Sequence, residues 1–245
     1  MSSGRVYTAL GAEFQRIMSD IATNLQVVRE RVAAAARAVG RDPAEVEILA
    51  VSKTWPASRL REAAAAGQRA FGENYVQEAE EKIAALADLG LEWHFIGPLQ
   101  ANKTRGVAER CAWVHSVDRL RIAQRLSAQR PPTLPPLQVC VQVNVSGEAS
   151  KSGCSPAEAE RLCTLVAALP ALHLRGLMAI PEPTDNAVRQ REQFAELRRL
   201  FTALRAGGLP LDTLSMGMSQ DLEAAVAEGA TLVRIGTAIF GERNR

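Results

Sequence analysis

The spacing of apolar residues divides the chain into short strands and amphipathic helices that alternate. From about Glu13 to Val39 apolar residues recur every three or four positions and Gly40 follows, which predicts one long helix. Apolar runs of strand length then alternate with stretches of helical spacing. The predicted strands are Glu47–Ser52, Arg69–Gly72, Trp93–Gly97, Trp113–Val117, Gln138–Val145, Leu174–Ile180, Thr213–Met216 and Thr231–Ile235. The predicted helices between them are Pro56–Ala66, Tyr75–Leu89, Asn102–Arg110, Arg119–Gln129, Pro156–Ala168, Ala187–Arg205 and Asp221–Ala227.

Eight strands separated by helices within 245 residues favour one α/β domain. We predict a single (β/α)8 barrel of the TIM type, with the long N-terminal helix as an addition. The alternative is an open doubly wound sheet, but the first strand lacks the G-x-G-x-x-G turn of a dinucleotide site. Residues 1–11 are predicted to be a flexible tail, and residues 12–245 the barrel domain. The proline-rich segment 130–137 is interpreted as a stiff loop.

Composition and charge narrow the class of function. The chain is 47% hydrophobic and 23% charged, and its net charge of +2 is too small to suggest a nucleic-acid partner. No apolar run is long enough for a membrane span, and the N-terminus does not resemble a signal peptide. The four cysteines show neither C-x-x-C pairing nor zinc spacing. We therefore expect a cytoplasmic protein with reduced thiols, no metal site, and neither nucleic-acid nor membrane partners.

A lysine directly follows the first predicted strand, where a parallel barrel builds its active site. Lys53 comes after the apolar run of residues 48–51. Loss of hydration at such a place lowers the pKa of an amine and leaves it able to form a Schiff base. The alternative is a lysine that reaches from the rim of the barrel into solvent. Lys53 by itself does not decide between the two.

The turns after the seventh and eighth strands combine glycine with hydroxyl side chains. In this fold that pair of loops is the common phosphate site, where backbone N–H groups meet an anion. Gly217 and Gly236 allow close approach, and Ser215, Ser219 and Thr237 supply donors. These loops and a lysine across the mouth of the barrel together suit a phosphorylated aldehyde.

Several sequence strings carry a resemblance to a known family. They are AVSKT, FGENYVQE, WHFIGPLQANK, VDR, GLMAIP, SMGMSQDLEAAV and VRIGTAIFG. In this order and spacing, over about Val46 to Gly241, the chain resembles the pyridoxal-phosphate homeostasis proteins, single-domain relatives of the N-terminal barrel of alanine racemase. Trp55, after the SKT string, departs from the polar or basic residue common in that family.

The resemblance implies that pyridoxal 5′-phosphate forms an internal aldimine on Lys53. It implies that Arg234 faces the pyridine nitrogen. The remaining implied contacts are with the phosphate (Ser215, Gly236, Thr237 and, as a further candidate, Ser219) and with the pocket wall (Asn74 and Asn144). It also implies a monomer.

Several other polar residues near strand ends have two interpretations. His94 and His115 suit either acid–base groups or hydrogen-bonded lining, and no carboxylate partner can be assigned to them. Glu73 either orients a group of the site or is simply a charged residue of a loop. Asp221 is interpreted as a structural residue at the start of a helix, where a carboxylate is favoured.

Arg234 also bears on what the cofactor is used for. Pyridoxal-phosphate enzymes that need a strong electron sink protonate the pyridine nitrogen through an acidic partner, and a guanidinium cannot accept that proton. Racemisation also needs a base opposite the lysine, supplied in alanine racemase by a tyrosine of a second domain. We expect no such base here, because the chain ends at Arg245 and neither Tyr7 nor Tyr75 matches that role.

These points predict intracellular cofactor homeostasis without robust catalysis. The protein would store and buffer pyridoxal 5′-phosphate and deliver it to apo-enzymes that depend on it. The first alternative is a low-activity enzyme that resembles an amino-acid racemase. A further alternative is a barrel whose aldimine is incidental to a partner interaction.

Overall fold

Eight parallel strands close into a barrel in the computed structural model, which describes residues 3–147 and 151–242 and the side chains from residue 21 onward. Each strand pairs with the next along the chain, and β1 closes the barrel on β8 through pairs from Glu47–Leu232 to Ala50–Ile235. The strands are β1 Glu47–Val51, β2 Ala70–Glu73, β3 Glu92–Phe95, β4 Trp113–Val117, β5 Leu137–Gln142, β6 Leu172–Met178, β7 Thr213–Ser215 and β8 Leu232–Ile235. The predicted (β/α)8 barrel is thus confirmed.

The helices form the outer layer and bury their apolar faces against the strands. They are α1 Ser3–Ala38, α2 Ala57–Ala65, α3 Val76–Ala85, α4 Thr104–Arg110, α5 Leu120–Gln129, α6 Pro156–Ala167, α7 Ala187–Ala206, α8 Leu222–Ala227 and α9 Thr237–Phe240. Short 3-10 turns lie at Pro43–Glu45, Ala87–Leu89 and Ala101–Lys103. No helix in the described part of the chain is long and apolar enough to cross a membrane.

The N-terminal helix begins earlier than its apolar pattern predicts. α1 starts at Ser3, so residues 3–11, predicted to be a flexible tail, are helical, and residues 1–2 lie outside the described residues. Extending an existing helix adds a hydrogen bond for each residue fixed, and the glycines in this stretch weaken the helix without ending it. The assignment of residues 12–245 to one domain stays a prediction.

α1 supports the loops that follow the last two strands. Ile21, Leu25 and Val28 recur at helical spacing and are buried against the barrel. The Asn24 amide donates to the carbonyl of Ile239 in α9 at 3.0 Å. α1 therefore holds α9, a four-residue helix too short to show an apolar period and absent from the prediction.

Candidate functional site

A cavity of about 500 Å³ opens at the carboxyl ends of the strands. Its walls come from residues that end or follow β1, β2, β3, β6, β7 and β8. Six of the predicted site residues line it together: Lys53, Asn74, Ser219, Arg234, Gly236 and Thr237. Residues far apart in sequence meet there because the carboxyl ends of all eight strands share one mouth of the barrel.

Two predicted site residues do not line this cavity. Ser215 is the last residue of β7, and its fully buried side chain points into the barrel interior below the cavity. Asn144 instead organises the loop after β5, since its amide donates to the carbonyl of Lys151 at 3.4 Å and its Oδ1 accepts from Ser146 at 3.0 Å. The cofactor contacts that the sequence predicts for this pair stay predictions.

The turn that carries Lys53 has a strained backbone. Thr54 has a φ of 69°, in the left-handed region that β-branched residues rarely adopt. Its backbone N–H donates to the Glu78 carboxylate, and the Ser52 hydroxyl donates to Oε1 of Glu73 at 2.6 Å. Such strain persists only where the surroundings hold it, and it clusters at functional sites.

A buried ammonium group lies beneath this turn. Nζ of Lys82 donates to the carbonyl of Ser52 and to the carboxylates of Glu73 and Glu78, each at 2.7 Å. Burial raises the pKa of Glu73, although Lys82 and Ser52 oppose the shift. Glu73 thus orients the lysine turn, one of the two roles its sequence allowed. The sequence analysis did not identify Lys82 as a residue of this site, although its i,i+4 spacing from Glu78 is typical of an ion pair on a helix.

Substitution of Lys82 by methionine is expected to destabilise the fold by about 3–5 kcal/mol, because it leaves Glu73 buried without its counter-ion. The pKa of Glu73 in the folded state then rises further above its unfolded value. A carboxyl of this kind binds more protons when folded, so stability falls as the pH rises above the unfolded pKa. In urea unfolding, the free energy of unfolding that Lys82→Met loses relative to the unsubstituted protein should be larger at pH 8 than at pH 5.

The matched control is Lys103→Met, since Lys103 is exposed in the Ala101–Lys103 turn. It should change stability little at either pH. An equal deficit for Lys82→Met at both pH values would contradict the assigned ion pair with Glu73.

Arg234 forms the floor of the cavity. Its Nη1 donates to the carbonyl oxygen of Ser215 at 2.6 Å, and its Nη2 donates to the carbonyl of Ala179 at 2.8 Å. Burial lowers the pKa of Arg234 to about 10, partly offset by the nearby carboxylate of Asp221. The guanidinium therefore stays charged at neutral pH.

The loops after β7 and β8 pack closely, and both contribute residues to the cavity wall. Gly217 has a φ of 94°, and a Cβ there would lie 2.5 Å from that of Ala225. Oγ of Ser219 accepts from the backbone N–H of Ala238 at 3.3 Å. No acceptor among the described residues is recorded for the backbone N–H of Thr237, the first residue of α9. An anion suits such a loop.

Asp221 also lines the cavity. Its Oδ1 accepts from the backbone N–H of Met218 at 2.5 Å, and burial raises its pKa. The residue precedes α8, where it was predicted to be structural, and its hydrogen bond shapes the loop after β7.

A phosphorylated pyridine aldehyde fits the residues present. Lys53 offers an amine, the loops at Gly236 and Thr237 offer room and a donor for a phosphate, and Arg234 offers a fixed cation. Oδ1 of Asn74 is buried in the cavity wall and has no hydrogen-bond partner among the described residues. A buried acceptor without a donor is costly, and a ligand hydroxyl would satisfy it.

The fold and the lysine-bearing cavity define a barrel of the class found at the N-terminus of alanine racemase. Residues 21–244 match the family described as "Alanine racemase, N-terminal domain". The Pyridoxal phosphate homeostasis protein of Pseudomonas aeruginosa is 65% identical over 227 residues, which cover 93% of this chain and 97% of that protein. That of Escherichia coli K12 is 57% identical over 230 residues, covering 93% and 98%. The chain therefore belongs to the family of pyridoxal phosphate homeostasis proteins.

A solved structure of moderate identity shows the same fold. PipY of Synechococcus elongatus, determined with PLP bound, superimposes with a TM-score of 0.79 at 40% identity. The match covers 90% of this chain and 100% of the PipY chain.

Proposed function

We propose that this protein binds pyridoxal 5′-phosphate in the cavity, with Lys53 linked to its aldehyde carbon, and acts in intracellular cofactor homeostasis. The observation that carries the proposal is one cavity that combines the Lys53 amine, the charged Arg234 and the donor-bearing loops after β7 and β8. The relatives named for this homeostasis, and PipY with PLP bound, support it. Storage and buffering follow from reversible binding, and delivery to apo-enzymes is part of the proposal.

Each residue of the cavity has a distinct task. The bound group supplies an aldehyde that links reversibly to amines and a pyridine ring that draws electrons. Lys53 holds the aldehyde end, and Arg234 presents a charged donor to the ring nitrogen. Gly236 and Thr237, with Ser219 beside them, receive the phosphate. Asn74 accepts from the ring hydroxyl.

A charged Arg234 favours a carrier over a fast enzyme. With its pKa at about 10 the guanidinium remains a donor at neutral pH and gives no proton to the ring nitrogen. The ring is then a weaker electron sink.

We further propose that the protein works in the cytoplasm as a monomer, without nucleic-acid or membrane partners.

The phosphate is expected to dominate affinity, so pyridoxal should bind at least about 100-fold more weakly than pyridoxal 5′-phosphate. Charge-assisted hydrogen bonds contribute about 1.5–3 kcal/mol each, and two of them account for such a ratio. Titration of the visible absorption of the protein with each compound gives the two Kd values. Ser219→Ala should narrow the ratio, and Ser58→Ala, exposed on α2, should leave it unchanged. Equal Kd values for the two compounds would reject the phosphate site.

Delivery has its own measurement. The loaded protein is mixed with an apo-enzyme that requires pyridoxal 5′-phosphate, and recovery of that enzyme's activity is timed against free cofactor at the same concentration. Reactivation supports delivery. No reactivation would leave storage and buffering as the role.

A further inference from the structure

Five polar side chains form a continuous hydrogen-bonded chain through the inside of the barrel. Glu92 Oε1 lies 2.8 Å from His94 Nε2, and His94 Nδ1 lies 2.9 Å from His115 Nε2. His115 Nδ1 lies 2.7 Å from Ser215 Oγ, which is 2.8 Å from Nη1 of Arg234. We call these five residues the axial chain.

The axial chain joins the two ends of the barrel. The side chain of Glu92, the first residue of β3, is 47% exposed, whereas Arg234 lines the cavity at the carboxyl end. His94, His115 and Ser215 between them are at most 1% exposed. Branched apolar side chains usually fill this space in such barrels, and buried polar groups cost free energy unless they are hydrogen-bonded. A polar hydrogen-bonded chain inside the barrel is therefore unusual for this fold.

The two charged ends fix the direction of every hydrogen bond when both imidazoles are neutral. Arg234 only donates, so Ser215 Oγ accepts from it, and the Glu92 carboxylate only accepts, so His94 carries its hydrogen on Nε2. His94 Nδ1 then accepts from His115 Nε2. His115 Nδ1 accepts the hydroxyl hydrogen of Ser215, and every donor meets an acceptor.

The reverse arrangement leaves a donor unpaired. If His94 carried a hydrogen on both nitrogens, His115 would have to donate from Nδ1 to Ser215. Ser215 Oγ would then accept two hydrogen bonds, and its own hydrogen would have no recorded acceptor among the described residues. A buried donor of this kind costs free energy, so the hydrogen bonds favour the arrangement with the hydrogen of His115 on Nε2.

Burial and charge act in the same direction. Burial lowers the pKa of His115 well below its usual value, and His94 and Arg234 lower it further. Among the described residues, Glu47 and Arg175 also interact electrostatically with the charges at the His94 end. The charges of that end are therefore of both signs, and His115 lies deeper in the barrel than they do.

A metal site at this end is not favoured by the same contacts. Ligand atoms of Glu47, Glu92 and His94 lie within 4.8 Å of one another. However, both ring nitrogens of His94 and of His115 already have partners in the axial chain. A metal ion would have to displace Glu92 from the imidazole.

We propose that His115 is a positioning residue for the cofactor site: as the Nε2–H tautomer it takes the hydroxyl hydrogen of Ser215 and turns a lone pair of Ser215 toward Arg234. The guanidinium is thereby fixed at the floor of the cavity. The inference rests on the proposed function for what Arg234 contacts in the loaded protein. The tautomers themselves are properties of the protein without cofactor.

Nitrogen NMR of the imidazole rings tests the tautomers directly. The chain has three histidines, and exposed His173 supplies the reference signals, so single substitutions assign the spectrum. At pH 7, without cofactor, His115 should show a neutral ring with its hydrogen on Nε2. A hydrogen on Nδ1 of His115 would overturn the proposal.

Binding measurements test the positioning role. His115→Phe should raise the Kd for pyridoxal 5′-phosphate about tenfold and shift the absorption maximum of the loaded protein, while borohydride still labels Lys53. His115→Asn keeps an acceptor near the Nδ1 position and should recover most of the affinity and the original maximum. His173→Phe should bind as the unsubstituted protein does.

The outcomes separate this inference from the proposed function. Unchanged Kd and absorption maximum in folded His115→Phe would overturn the positioning role, as would His115→Asn matching His115→Phe in both readouts. If His115→Phe does not fold, His115→Asn and the NMR of the unsubstituted protein still decide. If the unsubstituted protein binds no cofactor, the proposed function fails, whereas the NMR result continues to test the axial chain.

Discussion

Replacing Lys53 by alanine is expected to abolish covalent attachment of pyridoxal 5′-phosphate, and with it the absorption band of the lysine-linked cofactor. Lys53 is the one lysine among the described residues that line the cavity, so no neighbouring amine can take its place. Borohydride reduction followed by peptide mass mapping should find one phosphopyridoxyl group on Lys53 in the original protein. The substituted protein should show none.

The fold and the phosphate loops should survive this substitution. Glu73 and Lys82 hold the turn through the hydroxyl and the carbonyl of Ser52, which the substitution leaves in place. Lys53→Ala should therefore unfold near the original temperature and still bind the cofactor without a covalent bond. The matched control is Lys103→Ala, at an exposed lysine, and this variant should still carry one phosphopyridoxyl group on Lys53. A phosphopyridoxyl group on another lysine would contradict the assignment.

Much of the fold was predictable because it follows from local patterns. Buried strands appear in the sequence as short apolar runs, and outer helices appear as apolar residues every three or four positions. The alternation of these two patterns indicates a parallel barrel. The structure departs from the prediction where the pattern is weak. α9 at Thr237–Phe240 spans one helical turn, and α1 continues back to Ser3 through a stretch with two glycines.

The candidate site was predictable where position along a strand decides it. Lys53, Asn74 and Gly236 meet at one mouth of the barrel because each lies one or two residues after the end of a strand. Ser215 and Asn144 were placed by the same rule, but it does not say whether a side chain faces the cavity or the barrel interior. That depends on the exact end of each strand, the least certain feature of a sequence-based prediction.

The partners of the site residues were not predictable, because they depend on contacts between elements. Lys82 reaches Ser52 from α3, and His115 reaches Ser215 across the barrel. One signal was available for the carboxylate partner of His94. Glu92 stands two positions earlier, which places both side chains on the same face of β3.

The alternative of a racemase-like enzyme depends on a base opposite Lys53. Among the described residues that line the cavity, Asp221 has the one other side chain able to accept a proton at neutral pH. Its Oδ1 is already engaged with the backbone N–H of Met218. Arg234 acts on the same step, because removal of the α-hydrogen leaves negative charge that a weaker electron sink stabilises less.

We therefore expect the loaded protein to racemise L-alanine at no more than a trace rate. A positioned base contributes a factor of about 10² to 10⁴, so its absence alone keeps the rate far below enzymatic turnover. Incubation with L-alanine in deuterated water, with free pyridoxal 5′-phosphate as reference, follows both deuterium uptake at the α-carbon and chirality. Uptake with retained chirality would indicate proton transfer by Lys53 on one face. Turnover on the order of 10 s⁻¹ with inversion would overturn the carrier proposal, and its loss in Asp221→Asn would identify the second base.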